Sequence, residues 1–297
     1  NEGITALNVL LCIVFGLLCS AIGFNVMHDG AHGSFSNKKW INTLAGVSLN
    51  FLGANVFMWK TKHNTVHHTY TNIEGVDDDL NARPMLRLNA EQKKTALHKY
   101  QHFYFPFAYS LLYIYWVLFT DYKKYFLGRV GKIPLPKMSF SDHLSFWFYK
   151  IFHIFMIGVI PIYKVGFESW LVGFLIFGST AGLVLSLVFQ LAHVVEETSF
   201  PTVNEETGTT DDEWVIHQIK TTANFSPTNL LVRWFTGGLN YQVEHHLFPN
   251  ISHVHYPEIS KIVKQLCKEY DVPYLQHKYL SSAIKSHVKH LKHMGAI

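Results

Sequence analysis

The sequence predicts an all-α fold: a multi-pass transmembrane protein with interfacial helices and a cytoplasmic helical cap. Three observations support this prediction. Of the 297 residues, 48% are hydrophobic and only 15% are charged. Mean hydropathy is +0.10, which is high for a soluble protein. The apolar residues are also concentrated in long runs, and a segment between two of these runs is rich in lysine.

The longest uncharged run predicts the first membrane span. Residues 4–27 contain no charged side chain and would form a helix of roughly 36 Å at about 1.5 Å per residue, enough to cross a bilayer core. A cleaved signal peptide is the alternative, but the run leads directly into His28 and not into a small-residue cleavage site. Two further runs, 144–163 and 170–192, are separated by six residues and predict a membrane hairpin.

Two weaker apolar stretches, 41–58 and 103–120, are expected to lie in the plane of the interface. The first contains three asparagines, and the second contains a proline and four tyrosines. The loop 121–143 that follows is rich in lysine and is therefore predicted to be cytoplasmic. If neither stretch crosses the membrane, residues 28–143 and everything after His193 lie on the cytoplasmic side.

Charge and cysteine content exclude several other classes of protein. The net charge of +4 is explained by lysines beside the membrane, which attract anionic lipid headgroups, so we expect membrane lipids as partners and no nucleic acid. Cys12, Cys19 and Cys267 are too few and too scattered for a disulfide framework or a thiolate metal site. We expect them to be buried thiols in a reducing compartment.

Histidines occur at helical spacing in four separate segments. They are "HDGAH" after the first apolar run, "HNTVHH", the end of "FQLAH", and "QVEHH". Spacings of three or four residues place side chains on one face of a helix. A single pair is usually a polar pair at an interface, but all four segments emerge at the same predicted face, which indicates a metal centre. The candidate site residues are His28, His32, His63, His67, His68, His193, Gln242, His245 and His246.

The number and type of ligands favour one kind of metal centre. Eight imidazoles without a thiolate exceed the needs of one tetrahedral zinc ion, whereas two octahedral ions could use them all and leave room for oxygen or water. The pattern therefore favours a dinuclear iron site in the cytoplasmic cap. Soluble di-iron bundles differ, because their ligands are mostly carboxylates.

The three motifs "HDGAH", "HNTVHH" and "QVEHH" resemble the histidine boxes of the integral-membrane fatty acid desaturases, over about residues 24–257. The glutamine that begins the third box, within "GGLNYQVEHHLFPNISHVHYP", resembles the front-end branch, which includes linoleoyl-CoA-type desaturases. The resemblance implies a non-haem di-iron enzyme that uses O₂ and two electrons to remove two hydrogens from an acyl chain. It also implies that the eight histidines are the iron ligands. Gln242 would bind weakly, bind through water, or orient a neighbouring ligand.

The resemblance also implies partners and a location. We expect a membrane desaturase domain over 1–257 and a basic cytoplasmic helical tail over 258–297. The substrate would be an acyl-CoA or acyl-lipid, and the site would face the cytoplasm from a bacterial inner membrane or the endoplasmic reticulum. Residues 1–297 contain no dinucleotide fingerprint, haem motif or cysteine cluster. Electrons are therefore expected from a ferredoxin or cytochrome b5 that docks on lysines including Lys261, Lys264 and Lys268.

Two alternative functions remain open. A lipid or fatty acyl hydroxylase could use the same scaffold, because the histidine boxes specify the oxidant and not the fate of the substrate radical. A non-catalytic, histidine-rich metal transporter is a more remote alternative. Transport requires polar groups in the middle of the membrane, and the predicted spans contain no convincing group of this kind.

Carboxylates near the boxes are candidates for orienting the imidazoles. We expect this role for Asp29 and Glu244, which lie inside the first and third boxes. Asp77, Asp78 and Asp79 follow the second box and are expected to be a solvated loop.

The other histidines are expected to have lesser roles. His217 is interpreted as structural or as a polar surface residue, and either His253 or His255 could hydrogen-bond a ligand. A solvated basic face is predicted near the end of the chain, where histidines alternate with lysines. Its histidines are His287, His290 and His293.

Overall fold

The computed structural model describes residues 5–204 and 209–297, and their secondary structure is mainly helical. The helices are α1 (Ala6–His32), α2 (Lys39–Phe51), α3 (Val56–Tyr70), α4 (Ala96–Ser110), α5 (Leu112–Leu127), α6 (Phe140–Val165), α7 (Phe167–His193), α8 (Trp214–Lys220), α9 (Leu230–Phe235), α10 (Gln242–Leu247), α11 (Tyr256–Glu269) and α12 (Leu280–Ala296), with 3₁₀ turns at Asp78–Leu80 and His253–His255. The strands are β1 (Arg129–Val130), β2 (Ile133–Pro134), β3 (Asn224–Phe225) and β4 (Gln276–His277). The predicted all-α architecture is confirmed.

Among the described residues, three helices are individually long and apolar enough to cross a membrane: α1, α6 and α7. They correspond to the three predicted spans; α6 and α7 extend beyond the predicted bounds at both ends, whereas α1 extends beyond them only at its C-terminal end. The side chain of Ser139 caps the start of α6 in a reciprocal pair with Asp142, so this helix begins before the apolar run. Gly166, with φ of +82°, is the residue at which the chain turns between α6 and α7. Ile4, at the edge of the first predicted run, lies outside the described residues.

Two bent helix pairs correspond to the stretches predicted to lie in the interface. The α2–α3 pair is bent by 109°, and the α4–α5 pair by 52°. Gly53 lies in the first bend with φ of +94°, and a Cβ atom there would fall 2.5 Å from the His153 ring. This bend therefore needs glycine both for its backbone conformation and for space. By length and composition, each bent pair taken as one span could also cross a membrane, which would raise the number of possible spans among the described residues from three to five.

The long helix α7 is the centre of the packing, because it contacts α1, α4, α5 and α12. A cluster of Cys19, Tyr113, Val117, Phe177 and Ala181 fills the space between α1, α5 and α7. Gly182 of α7 lies against the backbone of α4, where a side chain would meet the carbonyl of Ser110. Close helix contact therefore fixes the end of α7, where His193 emerges.

The helix α12 is docked against α4 and α7, and this corrects the expectation of a fully solvated basic face. Lys285, Lys289 and Lys292 are exposed as predicted, but His287 and His290 are buried. Nδ1 of His287 donates to the carbonyl of Val194 at 2.6 Å, and Nε2 of His290 donates to the carbonyl of Leu88 at 2.8 Å. Both imidazoles are on the inner face of an amphipathic helix, where hydrogen bonds make their burial acceptable. His293 is exposed.

Candidate metal centre

Four elements bring the eight predicted histidines to one place. His28 and His32 lie in the last turns of α1; His63, His67 and His68 lie in α3; His193 ends α7; and His245 and His246 lie in α10. Both α1 and α3 become π-helical just before or within their histidine pairs, at Gly23–His28 and Thr61–His67. Such wide turns are frequent at functional sites. All eight side chains are at most 7% exposed.

The ring nitrogens form three groups in which the ligand atoms lie within 4.8 Å of one another. One group is His28, His32, His63 and His245; a second is His67, His193 and His246; a third is His68, His245 and His246. The third group shares one histidine with each of the others. The rings of α10 therefore link the first group to the second.

The hydrogen-bond pattern tests whether these residues fit a metal. Within the eight predicted histidines, the buried ring nitrogens without a partner among the described residues are Nε2 of His32, His67, His245 and His246, and both nitrogens of His68. His28 and His63 also present their Nε2 atoms to each other at 3.3 Å. Leaving so many buried polar atoms unpaired is costly, whereas metal ions would satisfy their lone pairs. The donor set fits metal binding.

Aspartates orient two of the rings from outside the cluster. Nδ1 of His63 donates to Asp79 Oδ2 at 3.0 Å, and Nδ1 of His67 donates to Asp77 Oδ2 at 2.9 Å. Asp79 also forms an ion pair with Lys62. The expectation that these aspartates are solvated is wrong, because both carboxylates are largely removed from solvent. A carboxylate on Nδ1 fixes the tautomer and leaves the Nε2 lone pair for a metal.

Neutral acceptors orient two more rings. Nδ1 of His193 donates to the carbonyl of Thr221 at 3.2 Å, and Nδ1 of His246 donates to Gln218 Oε1 at 2.8 Å. The Nδ1 hydrogens of these rings therefore point outward, and their Nε2 atoms point into the cluster.

Burial also favours the metal-binding form of the two rings in α10. Removal from solvent lowers the pKa of His245 and of His246 well below the usual value for histidine. Nδ1 of His245 lies 3.1 Å from the hydroxyl of Tyr256, which fixes the ring from the side of α11. Both imidazoles are therefore neutral near pH 7, as metal coordination requires.

Asp29 and Glu244 do not have the predicted contacts with ligand imidazoles in the described structure. Asp29 Oδ2 accepts from Nδ1 of His253 at 2.8 Å, so it joins the end of α1 to the loop after α10. Glu244 accepts from Asn224 Nδ2 at 2.7 Å and from the Tyr274 hydroxyl at 2.8 Å. These carboxylates position the helices that bear the histidines. His253, expected as a possible partner of a ligand, is bound to Asp29 instead.

The remaining predicted positions are also defined. His217 is buried, and its Nε2 donates to the carbonyl of Thr71 at 2.8 Å, in keeping with a structural role. Gln242 is buried with its amide nitrogen 3.0 Å from Nε2 of His193. Because the two ends of an amide are interchangeable by rotation, Gln242 can present either a donor or an acceptor to the second nitrogen group.

The sequence gives no signal for two residues that support the site. Gln218 Oε1 accepts from the Thr71 hydroxyl at 2.9 Å as well as from His246. Asn72 has φ of +62°, and its Nδ2 donates to the carbonyl of His193 at 3.0 Å. Neither residue belongs to a histidine box, and their partners are distant in sequence.

Replacing Gln218 by leucine is expected to weaken metal retention by about 10- to 100-fold, because His246 loses the acceptor that fixes its tautomer. Metal remaining after dialysis against graded chelator measures this effect directly. Gln265, which is exposed on α11, provides the matched Gln→Leu control. Equal metal retention in both variants would contradict the role of Gln218.

A cavity of about 780 Å³ reaches the histidine cluster. His28 and His63 line one end, together with Phe24 and Trp59, and residues from α4, α5 and α7 form further walls. Most of the lining is apolar, and the volume is typical of a site for a small or medium-sized organic ligand. The arrangement therefore places a mainly apolar cavity beside the histidine cluster.

Comparison with known proteins identifies the family. The family "Fatty acid desaturase" matches residues 4–278. The sn-1 linoleoyl-lipid 6-desaturases of Arthrospira platensis and Synechocystis sp. are each 37% identical over 97% of this chain and over 78% and 80% of their own lengths. The acyl-lipid (8-3)-desaturase of Physcomitrium patens is 34% identical over 97% of this chain, which spans 61% of that relative. The chain therefore belongs to the fatty acid desaturase family and is an oxidoreductase.

Proposed function

We propose that this enzyme is an O₂-dependent acyl-lipid desaturase that introduces a cis double bond with a di-iron centre and electrons from another protein. The observation that carries the proposal is the shared wall between the apolar cavity and the histidine cluster, at His28 and His63. An acyl chain in this cavity would pass directly beside the metal-binding nitrogens.

The eight histidines are proposed to hold two iron ions. The groups of four and three nitrogens support two ions, with His68 beside the rings that join them. Gln242 is proposed to act beside His193, where other branches of the family have a ninth histidine. The bound irons supply the strongly oxidising chemistry that an unactivated methylene requires. The chain itself buries the imidazoles, holds those of His245 and His246 neutral and keeps bulk water away.

A lipid-linked acyl chain is the proposed substrate. The relatives compared above are described as linoleoyl-lipid and acyl-lipid desaturases. These descriptions favour desaturation over hydroxylation, and a lipid-linked acyl chain over an acyl-CoA.

The proposed topology has three crossings, by α1, α6 and α7, with α2–α3 and α4–α5 in the interface. Three crossings leave all eight histidines on the side that contains the basic loop 121–143, which is the cytoplasmic side by the positive-inside rule. The site would then face cytoplasmic electron donors, in a bacterial inner membrane or the endoplasmic reticulum.

The activity is tested by expression in a host without polyunsaturated lipids, with defined fatty acids in the medium. New double bonds are located by mass spectrometry of the extracted lipids, and a His245→Ala variant serves as the inactive control. A product with one more double bond supports the proposal. A hydroxylated product would favour the alternative reaction, and an unchanged lipid profile at normal expression would contradict both.

Donor docking gives a further expected result. Lys261, Lys264 and Lys268 are exposed along α11, which leads away from the third histidine box. Purified enzyme without a ferredoxin or cytochrome b5 is expected to give only trace product. With the donor, rates should fall as the Debye length shrinks to about 8 Å, because weak redox encounters are steered by charge.

Reversal of the three lysines to glutamate is expected to flatten this salt dependence. Reversal of Lys285 and Lys292, which are exposed on α12, is the matched control. Repeated turnover with NADH or NADPH alone, or a salt response identical in both variants, would show that docking occurs elsewhere or not at all.

A further inference from the structure

We propose that the outer rim of the cavity binds the phosphate of an anionic lipid headgroup, through Lys123 and Arg129. The inference rests on the proposed acyl-lipid function and adds the class of headgroup. Both side chains are exposed, both line the cavity that ends at His28 and His63, and neither has an ion-pair partner among the residues that the structure describes.

The charges around the cavity are unbalanced. Five basic and two acidic side chains line it. Both acidic side chains are already paired, Asp79 with Lys62 and Asp78 with Lys124. The fifth basic residue, Arg83, is also paired, because its guanidinium lies 3.4 Å from Glu74. The excess positive charge is therefore at Lys123 and Arg129, at the end of α5 and the start of β1.

Apolar side chains on the same rim indicate where a ligand enters. Tyr115, Phe119 and Leu127 line the cavity and are 54%, 58% and 52% exposed. They lie on α5, in the helix pair that is proposed to lie at the membrane interface. Exposed apolar groups beside free cations are typical of a surface at headgroup depth, where apolar bodies face acyl chains and cations face phosphates.

The two ends of the cavity therefore match the two ends of one amphipathic molecule. The apolar interior would accept the acyl chain and direct it towards the proposed metal site. At the rim, the ammonium of Lys123 and the guanidinium of Arg129 would bind the negatively charged oxygens of a phosphate. Phospholipids and acyl-CoA both carry phosphate, but the apolar rim favours entry from the bilayer. We therefore infer a phosphodiester of an anionic phospholipid as the bound group.

The test compares one linoleoyl chain on three carriers: phosphatidylglycerol, the uncharged monogalactosyldiacylglycerol, and CoA. In the Lys123→Gln/Arg129→Gln double variant, kcat/KM for phosphatidylglycerol is expected to fall about tenfold, mainly through KM, because two partly exposed ion pairs are lost. The value for the galactolipid should not change. Lys285→Gln/Lys292→Gln, which removes two exposed lysines of α12, is the control and should leave all three values unchanged.

Binding of fluorescent phosphatidylglycerol to the enzyme in detergent tests the rim without turnover. The double variant is expected to bind about tenfold more weakly than the control variant. Unchanged binding overturns the inference even if the enzyme desaturates every lipid. A fall in kcat/KM for linoleoyl-CoA alone would contradict the assignment of the bound phosphate to a bilayer lipid. Normal rim-dependent binding with no product from any carrier would contradict the proposed function and leave the phosphate site supported.

Discussion

Replacing His246 by alanine is expected to abolish turnover, with a loss well beyond the roughly hundredfold that follows when a residue behind a metal ligand is changed. His246 belongs to the second and the third nitrogen groups, so its loss opens one of the two proposed ion sites and the group that links it to the other. Iron per chain should fall from two in the parent enzyme to one or fewer. Metal analysis of iron-supplied, purified protein and a turnover assay measure the two effects.

His255 offers a matched control, because it is exposed and lies only nine residues from His246 in the sequence. His255→Ala should retain two irons and full activity. In metal-free protein, thermal unfolding of His246→Ala should occur at a lower temperature than that of His255→Ala, because the buried His246 ring also donates from Nδ1 to Gln218 Oε1. Two irons and normal turnover in His246→Ala would contradict the proposed centre, and so would tightly bound zinc with full activity in the parent.

Replacing Lys150 by methionine is expected to destabilise the fold by about 3–5 kcal/mol, because it leaves the carboxylate of Asp121 buried and unpaired. The two groups lie 2.9 Å apart, at 3% and 1% exposure. Lys150 also donates to the carbonyl of Gly53 at 2.7 Å, so one ammonium joins α6, α5 and the α2–α3 bend. Denaturant unfolding in detergent measures the change.

The double variant Lys150→Met/Asp121→Asn separates the buried charge from the lost packing. It should recover most of the stability, because a buried neutral pair avoids the cost of an isolated ion. Lys164→Met, at the exposed end of α6, is the control and should change little. If the single and double variants were equally unstable, the charge pair would not be the cause.

The predicted spans and histidine boxes depend on local signals, and this explains why they could be found in the sequence. An uncharged run of sufficient length has few alternatives to a membrane helix. Histidines at helical spacing also need only the helix itself to share a face. Assembly of the four segments could be expected only because each emerges at the same predicted side.

The partners of the imidazoles depend on chain reversals that no local pattern specifies. Asp29 and Glu244 are inside the boxes, yet their carboxylates point away from the site. Asp77 and Asp79 reach the histidine site because the chain reverses after α3. At this reversal Asn72 adopts a left-handed conformation, and its backbone N–H donates to Asp77 Oδ2 at 3.0 Å. The positions of these two carboxylates are therefore decided by tertiary contacts and not by sequence spacing.

The docking of α12 could not be predicted for a similar reason. Its lysines and histidines alternate in a way that suits a solvated helix equally well. What buries His287 is a tyrosine far away in the sequence, since the Tyr109 hydroxyl donates to His287 Nε2 at 2.9 Å. Tyr109 also lines the cavity, so α12 supports the cavity wall from behind.

The location of the proposed metal ligands on four different helices, α1, α3, α7 and α10, has a consequence for the life of the protein in the cell. Metal ions held between these helices would act as cross-links, and their binding free energy would add to the stability of the assembled state. In cells short of iron, newly made chains should remain loosely assembled at the cytoplasmic face and be degraded faster. The abundance of the enzyme, and with it the fluidity of the membrane, would then follow iron supply without any change in transcription.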